Sequence, residues 1–81
     1  MPAPTPAAIG KALRSLRKRE GLTQAVLGKK TELGPTHISF LETGKLSPNY
    51  TTLVRLSIGL GIELTEWIAV AEEIDRESGA T

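Results

Sequence analysis

The chain contains no cysteine and only one histidine, His37. The first absence excludes a disulfide framework and thiolate metal sites. A single imidazole cannot hold zinc alone, so neither metal nor cofactor is expected. Aromatic residues are scarce: Phe40, Tyr50 and Trp67 are each the sole example of their type. The core must therefore be aliphatic. No apolar run approaches membrane-spanning length, and the N-terminus lacks the charged-then-apolar order of a signal peptide. A cytoplasmic location with no membrane partner is expected. Period-two alternation is not sustained anywhere, which argues against a sheet. There is no Ser-His-Asp grouping and no glycine-rich phosphate loop, so no enzyme is expected.

What is present is helical periodicity in a chain of 81 residues, enough for one small all-α domain. Residues 1–4 read as a disordered arm, residues 5–77 as the folded domain and residues 78–81 as a frayed tail. The arm has neither Lys nor Arg, which disfavours insertion into a minor groove. Thr5-Pro6 has the form of an N-cap followed by proline at the first helical position. The first helix then runs to about Glu20 with Ile9, Leu13 and Leu16 inward, and Gly21 stops it. Thr23 caps a second helix that ends near Lys30 or Thr31, with Val26 and Leu27 inward. After the turn Glu32-Leu33-Gly34, a third helix runs from Pro35 to about Thr43. A fourth runs from Asn49 or Tyr50 to Leu60, with Leu53, Leu56 and Leu60 inward. A fifth spans about 64–77.

The segment from Gly21 to Lys45 is the most informative. Two helices this short, joined by a tight turn, bury little alone. Such a pair places its second helix in a DNA major groove, so double-stranded DNA is the expected partner. Charge is divided along the chain. From Lys11 to Lys45 there are eight basic and three acidic side chains; from Leu46 onward there are two basic and six acidic. A basic half can face phosphates while the acidic half faces a partner. Scattered surface charge is the simpler alternative.

The ordered set Leu13, Leu16-Arg17, Gly21-Leu22-Thr23-Gln24, Leu27, Ile38-Ser39, Leu41-Glu42, Gly44-Lys45, Pro48, Thr52-Leu53, Leu56, Leu60-Gly61, Leu64 and Glu66 resembles the Cro/CI-type, or XRE, helix-turn-helix family over about residues 9–67. The resemblance implies a five-helix lambda-repressor-like DNA-binding domain. It also implies an interior ion pair between Arg17 and Glu42. Gln24, at the start of the second helix, is implied to contact a phosphate, and capping of its own helix is the structural alternative. The loop after the third helix is implied to run along the DNA backbone. Lys45 is its best phosphate ligand, with Ser47, Asn49 and Tyr50 alongside. Lys29 and Lys30 are expected to add general attraction or simply a solvated face. His37 could donate to a phosphate when protonated.

At about 100° per residue, Ile38, Leu41 and Glu42 share the inward side of the third helix. Thr36, Phe40 and Thr43 share the opposite side, flanked by His37 and Ser39. Thr36, Ser39, Phe40 and Thr43 are the expected base readers, Phe40 by apolar contact with a thymine methyl. The alternative for Phe40 is a core position. The chain departs from the family at Pro35, where relatives often carry Gln or Arg, at Phe40 and Thr43, where many carry Arg, and at Glu32, which replaces the usual glycine of the turn.

Helix five carries Leu64, Trp67, Ile68, Ala71 and Ile74 at helical spacing, and Ile58 stands where the family is usually polar. Ile58, Trp67, Ile68, Ala71 and Ile74 are the expected homodimer interface, with completion of the monomer core as the alternative for Trp67. The length resembles restriction–modification controller proteins and small phage-type repressors. A dimeric regulator on a pseudo-palindromic operator is the leading expectation, with RNA polymerase as a further candidate partner. The alternative is an antitoxin-type interaction module that also binds DNA and holds a toxin. A toxin-binding extension needs more chain than the few residues after helix five.

Overall fold

The computed structural model describes residues 3–79. The expected features at Met1, Pro2, Ala80 and Thr81 lie outside them. Five helices follow in order: α1 (Pro6–Arg19), α2 (Gln24–Thr31), α3 (Pro35–Glu42), α4 (Tyr50–Leu60) and α5 (Leu64–Glu77). The described residues contain no strand.

Local chemistry sets most of the boundaries. Thr5 Oγ1 accepts from the Ala8 amide and Thr23 Oγ1 from the Val26 amide. Asn49 Oδ1 accepts from the Thr52 amide at 2.8 Å. Each satisfies a backbone donor that the first turn leaves unpaired. At the other end of α4, Gly61 takes a left-handed conformation and returns its amide to the last turn. The α2–α3 turn achieves a left-handed residue without glycine, because Glu32 has φ 61°.

Leu13, Leu27, Ile38, Leu56, Trp67 and Ala71 are wholly buried and form the centre of the core. Ile9, Leu16, Leu41 and Leu60 surround them. The close packing depends on Gly10: a Cβ there would lie 2.1 Å from the Leu41 carbonyl oxygen, so α1 and α3 touch backbone to backbone. Helix α1 also lies along α5. Two contacts lock that pair. The Trp67 indole donates to the Ile9 carbonyl at 3.1 Å, and the Asp75 carboxylate accepts from both the amide and the hydroxyl of Thr5.

Two expectations need correction. Val26 points outward and is 46% exposed. Neighbours on a helix point about 100° apart, and Leu27 takes the inward direction. Trp67 and Ala71 are sealed inside the single chain, each 0% exposed, and have no surface to offer a second copy. Ile68 and Ile74 differ from these two: each is half-buried against the core and keeps part of its surface exposed.

Candidate nucleic-acid interface

The site begins with what holds α3 in place. Arg17 on α1 donates through Nε and Nη2 to the two Glu42 carboxylate oxygens at 2.6 and 3.1 Å. Its Nη1 donates to the Leu22 carbonyl at 2.7 Å. Gln24, at the start of α2, donates from Nε2 to Glu42 Oε1 at 3.0 Å. The Glu42 carboxylate thereby ties α1, α2 and α3 together, and the Arg17 guanidinium adds the α1–α2 loop. No buried side-chain nitrogen or oxygen among the described residues lacks a partner. This network fixes the angle between the two short helices, which neither could set from its own buried area.

Gln24 has thus a role that sequence reasoning missed. It neither caps its own helix nor stands free on the surface: it is half-buried and bonded to Glu42. An amide nitrogen carries two hydrogens, and this contact uses one. The missed signal lies in the chemistry of Glu42. A buried carboxylate demands several donors, and one arginine supplies only two here.

With Ile38, Leu41 and Glu42 buried, the other side of α3 faces solvent. Thr36, Phe40 and Thr43 are exposed on it, and His37 and Ser39 are half-buried at its flanks. Phe40 is 39% exposed, so it is not a core residue. The Thr43 hydroxyl donates to the Ser39 carbonyl at 3.0 Å. That leaves its methyl group and oxygen lone pairs for an outside contact. The chain turns sharply after α3: the Lys45 and Leu46 amides both return to the Phe40 carbonyl, at 2.9 and 3.3 Å. The Lys45 side chain then lies over Phe40, with Nζ 5.5 Å from the ring centroid. Sequence reading did not reveal this contact between residues five apart, because it depends on the turn at Gly44 (φ 77°).

Asn49 and Tyr50 follow on the same loop. Tyr50 is 73% exposed, and Asn49 is exposed while capping α4. Lys29 and Lys30 are exposed at the end of α2. The basic half is less free than its charge count implies. Arg17 is committed to Glu42, and Arg19 bridges Glu66 at 2.9 Å and Glu20 at 3.3 Å. The hydrogen bond to Glu66 is the main reason the Arg19 guanidinium is held above its ordinary pKa. Lys11, Arg14, Lys18, Lys29, Lys30 and Lys45 have no carboxylate partner among the described residues. Those six remain for an anionic ligand. The described residues hold no cluster of potential metal ligands and no helix long and apolar enough to cross a membrane.

Two short helices held at a fixed angle by buried polar groups, the second with an outward face of small polar and apolar side chains, define a helix-turn-helix unit. The helix-turn-helix family model HTH_3 matches residues 13–67. The chain belongs to this family, the XRE or Cro/CI-type helix-turn-helix proteins, and is a DNA-binding transcriptional regulator of that class. It is 29% identical over 65 residues to an uncharacterised HTH-type transcriptional regulator of Sinorhizobium fredii, covering 80% of this chain and 84% of that one. Among solved structures it resembles the clp gene regulator ClgR of Corynebacterium glutamicum, with TM-score 0.90, 28% identity and coverage of 98% and 85% of the two chains. It also resembles the restriction–modification controller protein C.AhdI of Aeromonas hydrophila, with TM-score 0.75, 27% identity and coverage of 76% and 90%.

Proposed function

We propose that this chain is a sequence-specific regulator that binds a pseudo-palindromic operator as a homodimer, acting as a restriction–modification controller or small repressor. The observation that carries the reading is the outward face of α3, where Thr36, Phe40 and Thr43 stand exposed beside Lys45. Thr36, Ser39, Phe40 and Thr43 read base edges. Phe40 meets a thymine methyl, and the threonines offer hydroxyl and methyl groups suited to A·T pairs. Lys45, Lys29, Lys30, Tyr50, Asn49 and His37 contact phosphates, with the second amide hydrogen of Gln24 as a further donor.

The homodimer rests on Ile58. This side chain is 74% exposed on α4, a cost in water that a symmetric partner removes. It lines a shallow open groove with Lys30, Thr31, Glu32, Arg55 and Gly59. The similarity to C.AhdI supports the controller role. The direct test is fluorescence anisotropy of a labelled duplex library at low salt, with wild type and the Phe40→Ala variant. Wild type should retain a subset of sequences far more tightly than the rest, and the variant should lose that preference. Equal affinity of wild type for every duplex would contradict the reading.

A further inference from the structure

Phe40 is the only phenylalanine in the chain, and it is exposed on the face proposed to meet DNA. A thymine methyl accounts for its apolar edge but not for what lies over its face. There the Lys45 ammonium sits 5.5 Å from the centroid. This placement is not left to a free side chain, since the Lys45 amide is bonded to the carbonyl of Phe40 itself. The same residue therefore fixes both the backbone and the charged end of Lys45. A lysine on an open loop ordinarily samples many rotamers, and ordering it on DNA costs entropy. An aromatic face beneath the ammonium reduces that cost in advance, because the negative face of the ring attracts the charge.

We propose that Phe40 is a positioning residue for Lys45: its ring face holds the ammonium where a phosphate will be met, so that base reading and backbone anchoring at this corner form one coupled unit. This rests on the proposed role of α3. It adds that Phe40 contributes to affinity even where no thymine is present to read. The ring matters as a π surface and not only as apolar bulk. Leucine at this position keeps a comparable apolar reach but loses the interaction, whereas tyrosine keeps the ring.

The experiment has two arms. In the free protein, NMR of the Lys45 side-chain methylene protons should show upfield ring-current shifts in wild type and Phe40→Tyr. These should relax to ordinary values in Phe40→Leu. Unshifted protons in wild type would overturn the proposal whatever the protein binds. The second arm uses a duplex of G·C pairs only, which offers no thymine methyl. Here Phe40→Leu should weaken binding by roughly two- to fivefold per bound subunit, the range expected for an exposed cation–π contact. Lys45→Ala should weaken it at least as much and lower the salt slope by about one unit per bound subunit. The double variant should bind no more weakly than Lys45→Ala alone. Additive losses, or a Phe40→Leu variant equal to wild type on this duplex, would refute the coupling. Failure of the wild type to bind any duplex would instead refute the role of α3, and the NMR arm would still decide the contact.

Discussion

Arg17 and Glu42 meet as a two-pronged ion pair at 2.6 and 3.1 Å, with side chains only 9% and 2% exposed. They lie on α1 and α3, and Gln24 of α2 joins the same carboxylate. The helix-turn-helix angle therefore rests on one buried negative charge and its donors.

Removing one partner leaves the other charged and buried. Glu42→Ala should lower the unfolding free energy by about 3–5 kcal/mol. Gln24→Ala removes one bond to a charged group and should cost about 1.5–3 kcal/mol. The Arg17→Met/Glu42→Leu double variant should be much closer to wild type than Glu42→Ala, since it strands no charge. Urea denaturation of the three variants decides the matter. A Glu42→Ala protein as stable as wild type would show that the pair does not organise the fold.

Glu32 holds a left-handed backbone that costs a side-chain-bearing residue roughly 1–2 kcal/mol. Glycine removes the strain but adds entropy to the unfolded chain, about 0.5–1 kcal/mol. Glu32→Gly should therefore raise stability by up to about 1.5 kcal/mol, seen as a higher thermal midpoint. A lower midpoint would mean that the Glu32 side chain holds the turn in another way.

Ile58→Glu should give a folded monomer. The side chain is 74% exposed, so a charge there leaves the core intact. Ile68 and Ile74 would be poorer probes, because both pack on the core and their replacement tests folding as well as assembly. Sedimentation at micromolar concentration should show a dimer for wild type and a monomer for the variant. A wild-type monomer still holding a palindrome tightly would defeat the dimer.

Binding should depend steeply on salt. With ~6–10 phosphate contacts per dimer, affinity should fall by about three to five orders of magnitude between ~50 and ~200 mM salt. Affinity that ignores salt would leave the six basic side chains of residues 11–45 that lack a carboxylate partner without a role in binding.

The five helices were legible in the sequence because their signals are local. Thr5-Pro6, Thr23 and Gly61 state helix ends within a few residues. The inward and outward sides of α3 followed from periodicity, which correctly buried Ile38, Leu41 and Glu42. What periodicity could not reveal depends on distance in the chain. Trp67 pairs with Ile9, Thr5 with Asp75 and Gln24 with Glu42, across separations no local pattern records. Trp67 reads equally well as core or as interface until α1 is seen to cover it. Val26 and Leu27 are adjacent apolar residues on a helix of eight residues, and apolarity alone does not say which of the two turns inward. The Lys45–Phe40 contact is near in sequence but needs the turn at Gly44 to close it.

The most direct measurement is selection of bound sites from a randomised duplex library by the wild-type protein. Enrichment of a two-fold symmetric sequence is expected, with half-sites about one helical turn, ~34 Å, apart. Each half-site should contain a thymine whose preference disappears in Phe40→Ala. Enrichment of no sequence, or of a symmetric site unchanged by Phe40→Ala, would contradict the claim that the outward face of α3 reads DNA.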